Sequence, residues 1–224
     1  MTEVVLGNNQ YGKAQNHVVR INRDNDRHII RDLVVTSQLR GDLTEVHTKG
    51  DNAHCVPTDT QKNTVFAFAQ QYDIKSPEDL ILKLSDHFTS EFDWISGGRW
   101  AADEYRWDRI NDNDHCFVQN KQEVRTSVLV TDGDKKTVIS GFKDLTILKS
   151  TESGFEGYPK DKYTTLKETT DRIMSTDVRP AGVTTPPMST STPCTTASRT
   201  SSSPSSPTTT PVRCRKPCTS WARP

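Results

Sequence analysis

Between Lys149 and Asp177 the chain places an aromatic ring at Phe155, a guanidinium at Arg172, and a dense set of hydroxyls that includes Ser153, Thr164, Thr165, Thr169 and Thr170. A ring offers a flat face for stacking, and a guanidinium presents paired donors to two acceptors on one ligand edge. With hydroxyl donors around them, these groups suit a planar, hydrogen-bonding, anionic ligand. Each also has a plainer use, Phe155 as a core aromatic and Arg172 as half of a surface ion pair. The stretch is the last one with the character of a folded protein.

The 224 residues suffice for one large or two small domains. Their zero net charge hides an uneven split: six basic and no acidic residues follow Val178, so the first 178 residues carry 23 basic against 29 acidic groups. An acidic body argues against nucleic acid as the main partner. The start of the chain shows no basic segment followed by an apolar run, and no window approaches the length of a membrane span, so no membrane partner is expected. Cys55 and Cys116 are isolated thiols, and the six histidines have no metal-ligand spacing. No metal site is therefore expected. Gly97-Gly98 is too short for a phosphate loop.

These groups must be positioned by elements that the pattern partly reveals. Asn16 to Asp24 and Arg27 to Arg40 alternate apolar and polar residues around the turn-forming Asp24-Asn25-Asp26, which predicts a β-hairpin. Gly41 to Pro57 is polar and mixed. Thr58 is expected to cap a helix, with Gln61 completing a capping box and Val65, Phe66 and Ala69 on one face. Ser76-Pro77-Glu78-Asp79 is a second helix start, followed by an apolar stripe of Leu80, Ile81, Leu84, Phe88 and Phe92. Strands are expected over Trp94 to Ile110, Cys116 to Val130 and Thr137 to Leu148, with a turn at Asp132-Gly133-Asp134. Hairpin, two helices, hairpin is an α+β unit: an antiparallel sheet with a helical layer. The unit spans residues 1–135, and 136–178 begins a second one that finds no further strand to pair with.

From Arg179 the composition turns to Ser, Thr and Pro, with nine of the twelve prolines. Residues 179–224 are expected to be disordered, because they carry too little apolar surface to offset chain entropy. A mucin-like stalk has the same composition. So does a reading frame displaced by one base, in a gene that prefers C-ending codons. The displaced frame reads as a strand and then an amphipathic helix over Arg179 to Ser198.

Tyr11-Gly12-Lys13, Asp51-Asn52, Thr58-Asp59, Lys62-Asn63-Thr64, His87-Phe88 and the long block from Leu148 to Val178 make the chain resemble the urate oxidase (uricase) family over about residues 7 to 178. The resemblance implies the tunnelling fold: two β-β-α-α-β-β units per chain, assembled as a homotetramer with active sites between subunits. It also implies oxidation of urate by dioxygen and water to 5-hydroxyisourate and hydrogen peroxide, without a metal or organic cofactor. Lys13 matches the catalytic lysine and Thr58 the threonine that relays its proton, a general-base arrangement. Asp59 matches an aspartate that orients the substrate by its backbone amide. Phe155 matches the ring that stacks on the purine, Leu166 an apolar contact, and Arg172 the bidentate guanidinium.

The family also clamps the opposite urate edge with a glutamine, and places an Asn and a His near the oxygen site. None of these has a matching context in this sequence. The chain is accordingly expected to be impaired as an enzyme and prone to aggregate. A non-catalytic binding or assembly module with an interaction tail is the alternative, and a metal-using pterin or purine enzyme of the same fold is a further one. The expected setting is cytoplasmic, since the chain ends Ala222-Arg223-Pro224 without a peroxisomal tripeptide.

Overall fold

The computed structural model describes residues 5–184. They form two compact units, one of residues 5–145 with 178–184 and the other of residues 146–177. In the first unit, strands β1 (Tyr11–Asn22), β2 (Ile29–Gly41), β3 (Ile95–Arg109), β4 (Phe117–Asp132) and β5 (Lys135–Lys143) pair antiparallel in sequence order. Both predicted turns are present. Asp24 donates its amide to Asn22 Oδ1 at 2.8 Å, and Gly133 takes φ +55°, a left-handed conformation that glycine adopts at little cost. β1 begins five residues before the expected strand start, because a bulge at its middle interrupts the alternation that marks a strand. The strand expected over Thr137 to Leu148 is split at Asp144, whose φ of 63° turns the chain out of β5.

Three helices follow β2: α1 (Thr44–Lys49), α2 (Thr58–Gln71) and α3 (Pro77–Glu91). α1 lies in the segment that reads as polar and mixed. It buries none of its residues, so it has no apolar stripe to betray it. In α3, Ser76 Oγ accepts from the Asp79 amide at 3.2 Å, and Pro77 opens the helix as its sequence predicts. Leu80, Ile81, Leu84 and Phe88 are fully buried against Leu33, Val35, Leu39, Trp100, Leu129 and Val138 of the sheet, while Phe92 packs at the edge of this core. Burying a side chain of this size stabilises by about 1.5–3 kcal/mol.

The predicted cap of α2 is corrected. Pro57, extended at ψ 138°, is the capping position, and Thr58 is already helical, so its hydroxyl makes no cap bond. Gln61 forms no capping box but turns inward, fully buried, and its Nε2 donates to the Val56 carbonyl at 3.4 Å. Val65 and Ala69 are buried as expected, whereas Phe66 is 43% exposed, one residue off the buried stripe.

The expected disorder from Arg179 fails at its start. β8 (Ala181–Thr184) pairs antiparallel with β5, Gly141 opposite Ala181 and Val138 opposite Thr184. Its side chains are all exposed, so pairing rests on backbone bonds to an open sheet edge and leaves no hydrophobic alternation in the sequence. The rest of the expected tail, residues 185–224, lies outside the described residues. β5 pairs along its length with β4, so the compact grouping runs through Leu145, beyond the boundary expected at residue 135. The second unit holds a two-stranded sheet of β6 (Leu145–Lys149) and β7 (Met174–Val178). No helix among the described residues is long and apolar enough to cross a membrane.

A buried carboxylate fastens α3 to the sheet. Glu78 Oε1 accepts from Ser127 Oγ and Ser140 Oγ, both at 2.6 Å, and Oε2 accepts from Arg125 Nη2 at 2.8 Å. Burial raises the carboxyl's pKa, but the two hydroxyls, the amide of Glu78 itself and Arg125 together hold it below its ordinary value of 4.5. Its charge therefore stabilises the fold above pH 4.5, and that contribution is lost as the pH falls through the lower folded-state value. Glu78→Gln should cost about 3 kcal/mol in urea unfolding at pH 7. The gap between wild type and variant should shrink below pH 4.5.

Candidate functional site

Lys13 lies on β1 just before the bulge. Lys13 pairs with Ser37 and Asn16 with Val35, so one extra residue is inserted between them. Gln15 takes φ 55° there, and its amide donates to Thr36 Oγ1 at 3.2 Å. Side chains on a strand alternate, so an unbroken strand would put residues 13 and 18 on opposite faces. The inserted residue puts Tyr11 and Lys13 on the face of Asn16 and Val18, which is the face covered by the helices. Gly12 allows the strands to close here: a Cβ at this position would lie 1.9 Å from the Ser37 carbonyl oxygen.

Tyr11 ties this strand to the segment that leads into α2. Its hydroxyl donates to the Val56 carbonyl at 3.1 Å, two residues before Thr58 and two residues from Lys13 in its own strand. Burial, with Cys55 beside it, pushes the phenol up to about 12. Thr58 and Asp59 are exposed at the first turn of α2. Asp59 is held below the ordinary carboxylate range by Lys62 at 2.5 Å and by Asn63 at 2.8 Å, and Lys13 adds a smaller favourable charge. The structure thus brings Lys13 into electrostatic reach of the start of α2. Among the described residues no hydrogen bond joins it to Thr58.

In the second unit, Phe155 and Thr169 exchange backbone hydrogen bonds of 2.7 and 3.2 Å, which close the intervening residues into a loop. Asp171 anchors the loop's base, accepting from Thr151 Oγ1 at 3.0 Å and from the Ser153 amide at 3.4 Å; these bonds hold its carboxyl below the usual range. Arg172 Cζ stands 5.4 Å from the centroid of the Phe155 ring, within cation–π range. Neither plainer use of these residues is taken. Phe155 is 40% exposed, and among the described residues no carboxylate lies within ion-pair distance of Arg172. Leu166, 55% exposed, sits in the same loop.

Two aromatic residues of this arrangement carry no role in the sequence reading. Tyr11 has one only through its partner carbonyl 45 residues away, and Tyr158 only through its stacking on Phe155. The spacing Phe155 to Tyr158 is a signal of a kind, but in a loop it predicts no contact. Among the described residues no group of three or more His, Cys, Asp or Glu is arranged to hold a metal ion.

The first unit is thus an antiparallel sheet with a one-sided helical layer and a lysine strand beside a helix start, and the second holds an exposed ring beside a guanidinium that has no ion partner among the described residues. The Uricase family model matches residues 9–130 and 138–196. A uricase of Arthrobacter globiformis is 59% identical over 177 residues, 79% of this chain and 58% of that protein. One of Dictyostelium discoideum is 39% identical over 181 residues, 77% of this chain and 63% of that protein. The crystal structure of the Arthrobacter globiformis uricase superposes with a TM-score of 0.77 at 58% identity, covering 80% of this chain and 62% of that one. The chain belongs to the uricase family and has its tunnelling fold, and it spans about three-fifths of the length of these relatives.

The Tyr11 phenol is raised from 10 to about 12, so its protonated form stabilises the fold fully below pH 10, and that contribution is lost as the pH rises through about 12. Tyr11→Phe should remove it. In thermal melts between pH 9 and 12, about where a tyrosine titrates, the wild type should lose more stability than the variant.

Proposed function

We propose that this chain carries the residues of a urate oxidase site and acts on urate. The observation that carries the reading is the exposed Phe155 ring with the Arg172 guanidinium 5.4 Å from its centroid and, among the described residues, in no ion pair, inside the block most like the family. Urate is planar and anionic near neutral pH. Its purine rings would stack on Phe155, Arg172 would donate to two acceptors on one edge, and Leu166 would cover an apolar edge. Asp59 would present its backbone amide at the start of α2, where amides carry partial positive charge.

The proposed reaction is urate, dioxygen and water giving 5-hydroxyisourate and hydrogen peroxide. Lys13, passing the proton through the Thr58 hydroxyl, would remove a proton from urate or from the attacking water. The two electrons leave the purine for dioxygen, which takes up two protons as peroxide, while the water oxygen becomes the new hydroxyl. No metal or organic cofactor has a part in this scheme. The proposed assembly is a homotetramer and the proposed setting cytoplasmic. The assigned residues supply one recognition edge, so turnover is expected to be slow.

Binding and turnover are tested separately. Equilibrium dialysis with urate under nitrogen reads binding, and loss of the ultraviolet absorbance of urate in air reads turnover. Arg172→Ala should weaken binding by about 2 kcal/mol, roughly thirtyfold. Lys13→Met should abolish whatever turnover the wild type shows and leave binding nearly unchanged. Turnover that survives Lys13→Met would remove the base from the scheme, and a wild type that binds no urate would overturn the reading.

A further inference from the structure

Tyr158 lies flat against the Phe155 ring, with centroids 4.7 Å apart and planes inclined by 12°. Its hydroxyl donates to the Leu166 carbonyl at 2.5 Å. Tyr158 is itself held from the far side of the loop. Lys160 Nζ stands 5.3 Å from the centroid of the Tyr158 ring and pairs with Glu168 at 3.0 Å, and Glu168 accepts from the Gly157 amide at 3.3 Å. These contacts hold Glu168 below the ordinary carboxylate range, through Lys160 first and then the Gly157 amide.

We infer that Tyr158 is a positioning residue for the planar ligand: by stacking on Phe155 and tethering Leu166, it fixes the plane of the ring against which the ligand lies. The inference rests on the reading of Phe155 as the stacking ring. An exposed phenyl ring has two equivalent faces and turns about its own bonds, so a ligand that stacks on it must first fix its plane. A parallel neighbour ring removes that freedom before the ligand arrives, because offset-stacked pairs are favoured over independent rings. The hydroxyl extends the effect to the backbone of Leu166. One side chain thus sets both the plane on which the ligand lies and the place of the apolar contact beside it.

The test uses the full 224-residue chain with urate under nitrogen. Equilibrium dialysis gives affinity, and the ultraviolet difference spectrum at saturating urate reports stacking on the ring. Tyr158→Ala should bind urate about tenfold more weakly, in line with loss of an aromatic pair. It should also lose the stacking band even at saturation. Tyr158→Phe keeps the ring and loses only the tether, so it should retain the band and weaken binding about threefold. A purely structural role would lower affinity without changing the saturated spectrum.

The inference is overturned if Tyr158→Ala binds within twofold of wild type with its band intact, or if Tyr158→Phe is as impaired as Tyr158→Ala. Phe155→Ala separates the two levels. If it loses binding while Tyr158→Ala keeps it, only the positioning role falls. If Phe155→Ala binds as wild type does, or the wild type binds no urate, the stacking assignment falls and this inference with it.

Discussion

Glu78 is a negative charge placed where water cannot reach it, at the first turn of α3 and facing the sheet. Left alone there, an ionised carboxylate would cost several kcal/mol. Three donors from two strands meet it instead, and the positive end of the helix adds to them. Arg125 of β4 then stands 3.7 Å from Glu104 of β3, which binds Arg31 of β2 at 2.9 Å. The chain of charges runs across the sheet under the helical layer. Its last member, Arg31, donates to the carbonyls of Ile74 and Lys75, while Arg20 on β1 donates to Gln70 at 2.6 Å. The C-terminal end of α2 and the start of α3 are thereby pinned to fixed strand positions, and with them the N-terminal turn that carries Thr58 and Asp59.

The remaining geometry of the first unit is a matter of parity. A two-residue repeat allows a strand to serve one face only, yet β1 must present Tyr11 and Lys13 together with Val18 to the helical side. A single inserted residue at Gln15, steadied by Thr36, resolves this. In the second unit the organising groups are carboxylates at the loop's closure. Asp171 and Glu168 gather amides, a hydroxyl and a lysine, and leave the neighbouring Arg172 without an ion partner among the described residues. The acid next to this guanidinium in sequence and the one four residues before it are both committed elsewhere.

Much of this is legible in the sequence. The hairpin, the Ser76-Pro77 helix start and the apolar stripe of α3 announce themselves because local capping, turn chemistry and burial agree. The elements that stayed hidden lack one of those signals. α1 buries nothing, β8 pairs through backbone alone, and the first half of β1 loses its alternation to a bulge. Thr58 misled in a smaller way, since Pro57 takes the capping place and the threonine hydroxyl makes no cap bond. Of the residues proposed to act on urate, Phe155 and Arg172 stand out by residue type within one span. Lys13, Thr58, Asp59 and Leu166 were visible only through likeness to a family, because their meaning depends on partners distant in sequence. Tyr158 stayed out of view, since a loop has no repeat from which stacking can be read.

β8 has a consequence for how this sheet meets its surroundings. Its four residues, Ala181, Gly182, Val183 and Thr184, are small or β-branched and present no side chain to the interior. They occupy part of the border of β5, where an unsatisfied row of amides and carbonyls would otherwise recruit a strand from a neighbouring molecule. Since the attachment reads backbone shape and not residue identity, it behaves as a fastener indifferent to spelling. Many short extended segments would serve in its place, and the border of the sheet can be guarded by sequence that carries no pattern of its own.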